Sequence, residues 1–137
     1  LSPKEMSDQF KKWNSEELDS FLIEITSDIL KYKDEQGFLL ERIRDSAGQK
    51  GTGKWTAVSA LQYGMPVTLI GEAVFSRYLS ALKDERVKAS KHLPGPSDII
   101  KVADLKIFLN HIKHALYCAK IVSYAQGFML LREAAKD

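Results

Sequence analysis

Several features that would assign this chain to a specialised class of protein are missing from its sequence. Cys118 is its single cysteine, so an intramolecular disulfide is excluded and a reducing compartment is the simplest interpretation. No apolar stretch reaches the roughly 18 uninterrupted residues of a membrane span, because Lys120 and Gln126 interrupt the best candidate, 115–131. The first residues also do not have the charged and then apolar layout of a signal peptide. The sequence therefore predicts a cytoplasmic protein without a membrane partner.

The chain also has little net charge. Twenty Lys and Arg residues stand against 18 Asp and Glu, which leaves +2, too little for a general field that attracts nucleic acid. No solenoid repeat and no low-complexity tract is visible. Because 45% of its 137 residues are hydrophobic, the chain is long enough and apolar enough for a core, and we expect one domain over 1–137.

What the sequence does have is helical periodicity, and it predicts an all-α fold. Ser2 to Glu5 form a capping box with Pro3 in the first helical position. Glycines and prolines divide the rest of the chain. We expect helices from Ser2 to about Lys12, from N-cap Asn14 to Gly37, from N-cap Thr52 to Tyr63 with Gly64 as a left-handed stop, from Pro66 to about Leu82, over 83–93, and over about 105–135.

The last of these helices is unusually long and apolar. Thirty residues span roughly 45 Å, and 115–131 is nearly apolar all round with Lys120 as its only charge. A helix that is apolar on all sides is normally buried on all sides by other parts of the protein. We therefore expect its cover to come from sequence beyond this chain or from a second subunit.

The segment 48–54 fits the first seven positions of the phosphate-loop pattern G-x-x-x-x-G-K-[ST]. Trp55 occupies the eighth position, where a hydroxyl would hold magnesium, and no apolar strand precedes the loop. A nucleotide triphosphatase is therefore disfavoured. A more general phosphate site remains, in which the start of a helix at Thr52 is flanked by Lys50 and Lys54. The alternative is a solvated loop with exposed lysines.

Three other groups of residues could carry chemistry. Arg77 is the only charge between Glu72 and Lys83, so its guanidinium needs a partner, which could be a ligand or a structural ion pair. One helical face carries His111, His114 and Cys118, but no fourth ligand has suitable spacing, so we expect no metal. The basic run of Lys83, Arg86, Lys88 and Lys91 is interleaved with acids and predicts a solvated helix.

The sequence strongly resembles the 6-phosphogluconate dehydrogenases, the decarboxylating enzymes of the pentose phosphate pathway. The resemblance covers almost the whole chain and weakens between about Ser97 and Asn110. It is carried by 45–57 (DSAGQKGTGKWTA), 18–26 (LDSFLIEIT), 71–75 (GEAVF), 82–86 (LKDER) and 121–128 (IVSYAQGF).

The resemblance implies more than the residues alone do. Members of the family have an NADP-binding Rossmann domain, a large helical domain that contributes to the homodimer, and a C-terminal tail. This chain would be a central part of the helical domain, and the general base lysine and general acid glutamate would lie outside it. Lys50, Thr52 and Arg77 match the family residues that bind the phosphate of 6-phosphogluconate, whereas no residue here matches a catalytic or cofactor-binding group.

Besides the disfavoured triphosphatase, the sequence leaves two functions of different class open. The leading one is part of an NADP-dependent oxidoreductase, in which this chain binds the substrate phosphate and contacts a second subunit. The chain by itself is expected to be inactive as a dehydrogenase. The alternative is a helical protein-interaction module without a catalytic role.

Overall fold

The computed structural model describes residues 1–48, 50–96 and 102–137; Gln49 of the predicted loop and positions 97–101 lie outside them. The described residues form six α-helices and one short hairpin, so the all-α prediction is confirmed, as is the long last helix. The elements are α1 (Pro3–Asn14), α2 (Phe21–Lys31), β1 (Lys33–Asp34), β2 (Gly37–Phe38), a 3₁₀ helix (Leu39–Arg42), α3 (Thr52–Tyr63), α4 (Thr68–Ala81), α5 (Lys83–Ser90) and α6 (Leu105–Ala134).

The chain divides into two compact units. The first comprises Leu1–Arg44 and Lys106–Tyr117, and the second comprises Asp45–Leu105 and Cys118–Asp137. Helix α6 contributes residues to both.

In the first unit, α1 and α2 pack against each other around a buried pair of serines. The predicted capping box is present, because Ser2 Oγ accepts from the Glu5 amide at 3.3 Å and Glu5 Oε2 accepts from the Ser2 amide at 2.7 Å. Ser7 Oγ donates to the Ser27 carbonyl at 2.7 Å, and Ser27 Oγ donates to the Ser7 carbonyl at 3.0 Å. Small side chains thus let the two helices approach closely and still satisfy their polar groups.

The start of α2 was predicted wrongly. Asn14 is the last residue of α1, and the N-cap of α2 is Ser20, whose Oγ accepts from the Ile23 amide at 3.3 Å. Asn14 instead accepts a hydrogen bond from the Ser20 amide at 3.0 Å. The turn between the helices buries Leu18 to 3% exposure, and this tertiary contact overrides the local capping signal.

The end of α2 also differs from the prediction. The helix ends at Lys31, and the next residues form an antiparallel hairpin that pairs Lys33 with Phe38 and Asp34 with Gly37. Gly37 has φ 103°, so it closes the hairpin rather than ending a helix. Two-residue strands are too short to produce an alternating sequence pattern.

The second unit has its core where α3, α4 and α6 meet. Ala60, Val67 and Leu130 are its buried centre, with Tyr63, Met65 and Ile70 packed around them. Gly64 ends α3 in the left-handed conformation (φ 65°), as predicted. Helix α4 begins at Thr68, two residues after the predicted start at Pro66.

Within the second unit, α6 leaves much of its apolar surface exposed. Ile121, Tyr124, Phe128 and Leu131 are 52–65% accessible. The apolar residues predicted for this helix are therefore largely exposed to solvent in this chain. Across the described ranges, no helix meets the length and hydropathy of a membrane span.

Candidate functional site

The glycine-rich loop turns into α3 at Gly51. Gly51 is the N-cap, with φ 114°, and its carbonyl accepts the first helical hydrogen bond from the Trp55 amide at 2.9 Å. Thr52 is therefore the first helical residue, and its prediction as N-cap is wrong. The reason is conformational, because a positive φ is easy for glycine and costly for a β-branched residue.

Arg77, in the last turns of α4, faces the same loop. Its Nε donates to the Gly48 carbonyl at 2.9 Å, and its Nη2 donates to the same oxygen. Arg77 as a whole residue is exposed to solvent. A residue that is 29 positions away in sequence is therefore held at the turn that precedes α3.

The three residues predicted to bind phosphate line one cavity. This cavity has a volume of about 340 Å³ and is lined by Lys50, Thr52, Gly53, Val74 and Arg77. Lys54, the other lysine of the predicted anion site, is not part of the lining. The structure thus brings Lys50, Thr52 and Arg77 together and leaves Lys54 outside.

Close contact between α3 and α4 makes this arrangement possible. A Cβ atom at Gly53 would lie 2.8 Å from Cγ2 of Val74, which is buried in α4. Real Cβ contacts are longer than this, so any larger residue at 53 would push the helices apart. Arg77 lies one turn beyond Val74, and the fit at Gly53 therefore sets its separation from Thr52.

A second set of contacts holds the beginning of the loop. The Asp45 carboxylate accepts from Lys83 and, at 3.3 Å, from Arg86, while Arg86 Nη2 also donates to the Asp45 carbonyl at 2.7 Å. The Ala47 amide donates to Ser80 Oγ at 2.9 Å. The hydrogen bond from Lys83 is the largest cause that lowers the pKa of Asp45.

These contacts correct the prediction for the basic run. Lys88 and Lys91 are exposed, as expected of a solvated helix, but Lys83 and Arg86 are half-buried and bind the loop. The sequence carried a signal for this pairing, since Asp45 is an acid three residues before the first glycine of the loop, Gly48. The carbonyl of Gly48 and the side chain of Ser80 were missed, because no local pattern marks a backbone acceptor or a distant serine.

The chemistry available in the cavity is that of anion binding. Lys50 and Arg77 supply positive charge, Arg77 has five N–H donors of which two bind Gly48, and a helix start adds partial positive charge. Among the described residues, none of those that line the cavity carries a carboxylate, an imidazole or a thiol. Within the described residues, no group of three or more His, Cys, Asp and Glu side chains is placed to hold a metal ion.

The fold and the cavity together define a helical domain that presents cationic side chains beside a helix start. The family described as 6-phosphogluconate dehydrogenase, C-terminal domain, matches residues 1–137. The chain belongs to this family.

Individual relatives agree with the family match. The decarboxylating 6-phosphogluconate dehydrogenase of Ceratitis capitata is 79% identical over 137 residues, which are all of this chain and 28% of that protein. The human enzyme of the same name is 64% identical over 138 residues, 29% of its length. The chain thus spans less than a third of the relatives that it matches.

A solved structure has the same fold. It is described as Plasmodium falciparum 6-phosphogluconate dehydrogenase in its apo form, in complex with its cofactor NADP+ and in complex with its substrate 6-phosphogluconate. The match has a TM-score of 0.91 and 40% sequence identity, and it covers 99% of this chain and 30% of the other.

Proposed function

We propose that this chain is part of an NADP-dependent dehydrogenase that oxidatively decarboxylates 6-phosphogluconate to ribulose 5-phosphate. Within that enzyme, we propose that this chain binds the phosphate of the substrate. Lys50, Thr52 and Arg77 are the proposed ligands. The proposal rests on one observation above all, which is that these residues line one cavity although they come from a loop and two helices.

The physical requirements of a phosphate dianion support this assignment. A dianion is bound well by charge-assisted hydrogen bonds from more than one cation, and a guanidinium gives geometric specificity as well as charge. Thr52 can add its hydroxyl and the helix its first amides. Bonds to the Gly48 carbonyl use Nε and Nη2 of Arg77, so the donors of Nη1 remain for the ligand.

In this proposal the reacting groups belong to other segments. By the family resemblance, the general base lysine and the general acid glutamate would lie outside this chain, and an arginine and a histidine from the partner's tail would complete the phosphate site. Holding the phosphate fixes the far end of the sugar acid, so that its C3 meets the nicotinamide in one orientation. Fixing that orientation is how a binding residue far from the reacting carbon contributes to the rate.

The described residues do not by themselves fit NADP. Dinucleotides bind at the glycine-rich turn of a parallel βαβ unit, and the strands here are two residues long and antiparallel. We therefore assign NADP to other parts of the protein and confine this chain to the sugar phosphate.

Steady-state kinetics of the full-length protein tests the proposal. Arg77→Met and Lys50→Met should each raise the Michaelis constant for 6-phosphogluconate by about 10- to 100-fold, the cost of a lost charge-assisted hydrogen bond. Lys54→Met is the matched control, because it removes a lysine of the same loop that does not line the cavity. The proposal would be contradicted if Arg77→Met and Lys50→Met kept the wild-type Michaelis constant, or if Lys54→Met raised it by the same factor as they do.

The exposed face of α6 favours a second role, contact with a partner subunit. An open groove of about 370 Å³ on this helix is lined by Ser123, Tyr124, Gly127, Phe128 and Leu131, and its aromatic side chains are 62% and 65% exposed. Contiguous apolar surface of this kind is typical of interfaces. We propose that it contributes to a homodimer.

Sedimentation of the full-length protein tests this second role. Phe128→Asp combined with Leu131→Asp should shift a dimer toward monomer, because two charges would have to be buried in the interface. The control is Leu61→Asp, since Leu61 lies on α3 and is 85% exposed. A dimer of unchanged stability in the double variant would exclude this face from the interface.

A further inference from the structure

Helix α4, which carries Arg77, does not cap its own beginning. Its N-cap residue is Val67, whose side chain accepts no hydrogen bond. The first backbone amides of a helix have no partner within the helix, and they need an acceptor from elsewhere when they are shielded from water. In α4 these amides lie beside the core formed by Val67 and Leu130.

Gln126 of α6 provides that acceptor. Its Oε1 accepts from the Leu69 amide at 3.1 Å and from the Ile70 amide at 3.2 Å, while its Nε2 donates to Thr68 Oγ1 at 3.0 Å. The side chain is 8% exposed. One buried amide therefore acts as the cap of a helix that begins more than fifty residues earlier in the chain.

This cap is one of the contacts that fix α4. Another is the close approach of Val74 to Gly53, in the middle of the helix. Arg77 lies about 12 Å from Leu69 along the helix axis at 1.5 Å per residue. A helix held at its start and its middle cannot slide or tilt freely, so the position of its last turns is set as well.

We propose that Gln126 is a positioning residue for the phosphate site, which acts through α4 on the placement of Arg77. The inference rests on the proposed function, because it gives Gln126 a role in substrate binding only if Arg77 binds the substrate. Gln126 itself does not line the cavity.

Kinetics of full-length variants tests this role. Gln126→Met keeps the size of the side chain and removes the acceptor, and it raises the Michaelis constant for 6-phosphogluconate by about tenfold, since small displacements of a binding group are costly. The Michaelis constant for NADP stays the same. Gln126→Glu keeps an acceptor oxygen for the Leu69 and Ile70 amides and places negative charge at a helix start, so it restores most of the substrate affinity.

A purely structural role gives a different result. In that case Gln126→Met lowers the melting temperature without changing the Michaelis constant, or Gln126→Glu fails to restore substrate affinity; either outcome overturns the inference. Should Gln126→Met not fold, Thr68→Val provides the second test. It removes only the partner of Nε2, and a rise of about twofold to threefold is expected, against no change if the cap has no part in binding.

Arg77→Met measured alongside separates the two proposals. If this variant leaves the Michaelis constant unchanged, the proposed phosphate site itself is wrong. If Arg77→Met raises it and Gln126→Met does not, the phosphate site stands and only the positioning role of Gln126 fails.

Discussion

Arg77 donates hydrogen bonds from Nε and Nη2 to the carbonyl oxygen of Gly48. This contact joins the end of α4 to the glycine-rich loop and orients the guanidinium before any ligand arrives. An arginine held in this way loses less side-chain freedom when it binds an anion. The Gly48 carbonyl thus contributes to anion binding indirectly, because it orients the guanidinium of Arg77.

Arg77→Lys should restore little of the affinity lost in Arg77→Met. A lysine keeps the positive charge, but its single ammonium cannot bind the Gly48 carbonyl and a phosphate in the same fixed geometry. We expect a Michaelis constant for 6-phosphogluconate between those of the wild type and Arg77→Met, and nearer to the latter. Wild-type kinetics in Arg77→Lys would show that charge alone is sufficient.

Gly53→Ala should destabilise the protein by about 1–3 kcal/mol, the usual cost of overpacking. The added Cβ would meet Val74 Cγ2 at 2.8 Å. Denaturant unfolding measures the loss. Adding Val74→Ala to Gly53→Ala should recover part of it, and an additive double variant would contradict the contact.

Gly71→Ala is the matched control for that experiment. Gly71 is also a helical glycine, in α4, but a Cβ atom built there meets nothing within 4 Å. We expect Gly71→Ala to stabilise the protein by roughly 0.5–1 kcal/mol, because alanine loses less backbone entropy in a helix. Equal effects at positions 53 and 71 would mean that helix propensity, and not packing, determines both.

Asp45→Asn should lower the melting temperature at neutral pH and have a smaller effect in acid. Hydrogen bonds from Lys83, and then from Arg86, hold the pKa of Asp45 below its ordinary value of 3.8. A carboxyl with a depressed pKa in the folded state stabilises that state above its unfolded pKa, and this contribution is lost as the pH falls through the folded pKa. The difference between wild type and variant should therefore shrink below about pH 4. A difference that does not depend on pH would contradict the ion pair.

Ser7→Ala should cost about 1–2 kcal/mol of folding free energy. The Ser7 hydroxyl is 3% exposed and donates to the Ser27 carbonyl, so its loss leaves a buried acceptor with one partner fewer. Ser15→Ala is the control, because Ser15 is an exposed residue after the same helix and should change stability by less than about 0.5 kcal/mol. Chemical denaturation of both variants checks the difference, and equal losses would contradict the buried pairing.

Sequence predicted those features of the fold that are encoded locally. The capping box at Ser2 and Glu5 and the left-handed stop at Gly64 each depend on a few neighbouring residues, and both are present. The N-cap of α2 is Ser20 and not the predicted Asn14, and this difference accompanies the burial of Leu18 in the turn between the helices. Local patterns contain no information about such a contact.

The candidate site likewise has residues that the sequence identified and a long-range contact that it could not identify. Residue types and the family resemblance identified Lys50, Thr52 and Arg77, which the structure places around one cavity. The cap that Gln126 gives to α4 joins residues 56 or 57 positions apart. Its side chain was predicted only as an interruption of an apolar stretch, because hydrogen-bond partners at that separation leave no periodic signal.

The most direct test of the central claim is equilibrium binding of two ligands, 6-phosphogluconate and gluconate, to the full-length protein and to its Arg77→Met variant. Gluconate lacks the phosphate, so it reports every contact except the one assigned to this cavity. We predict that Arg77→Met weakens 6-phosphogluconate binding by about 10- to 100-fold and leaves gluconate binding unchanged. An equal loss of affinity for both ligands, or no loss for either, would contradict the assignment of Arg77 to the phosphate.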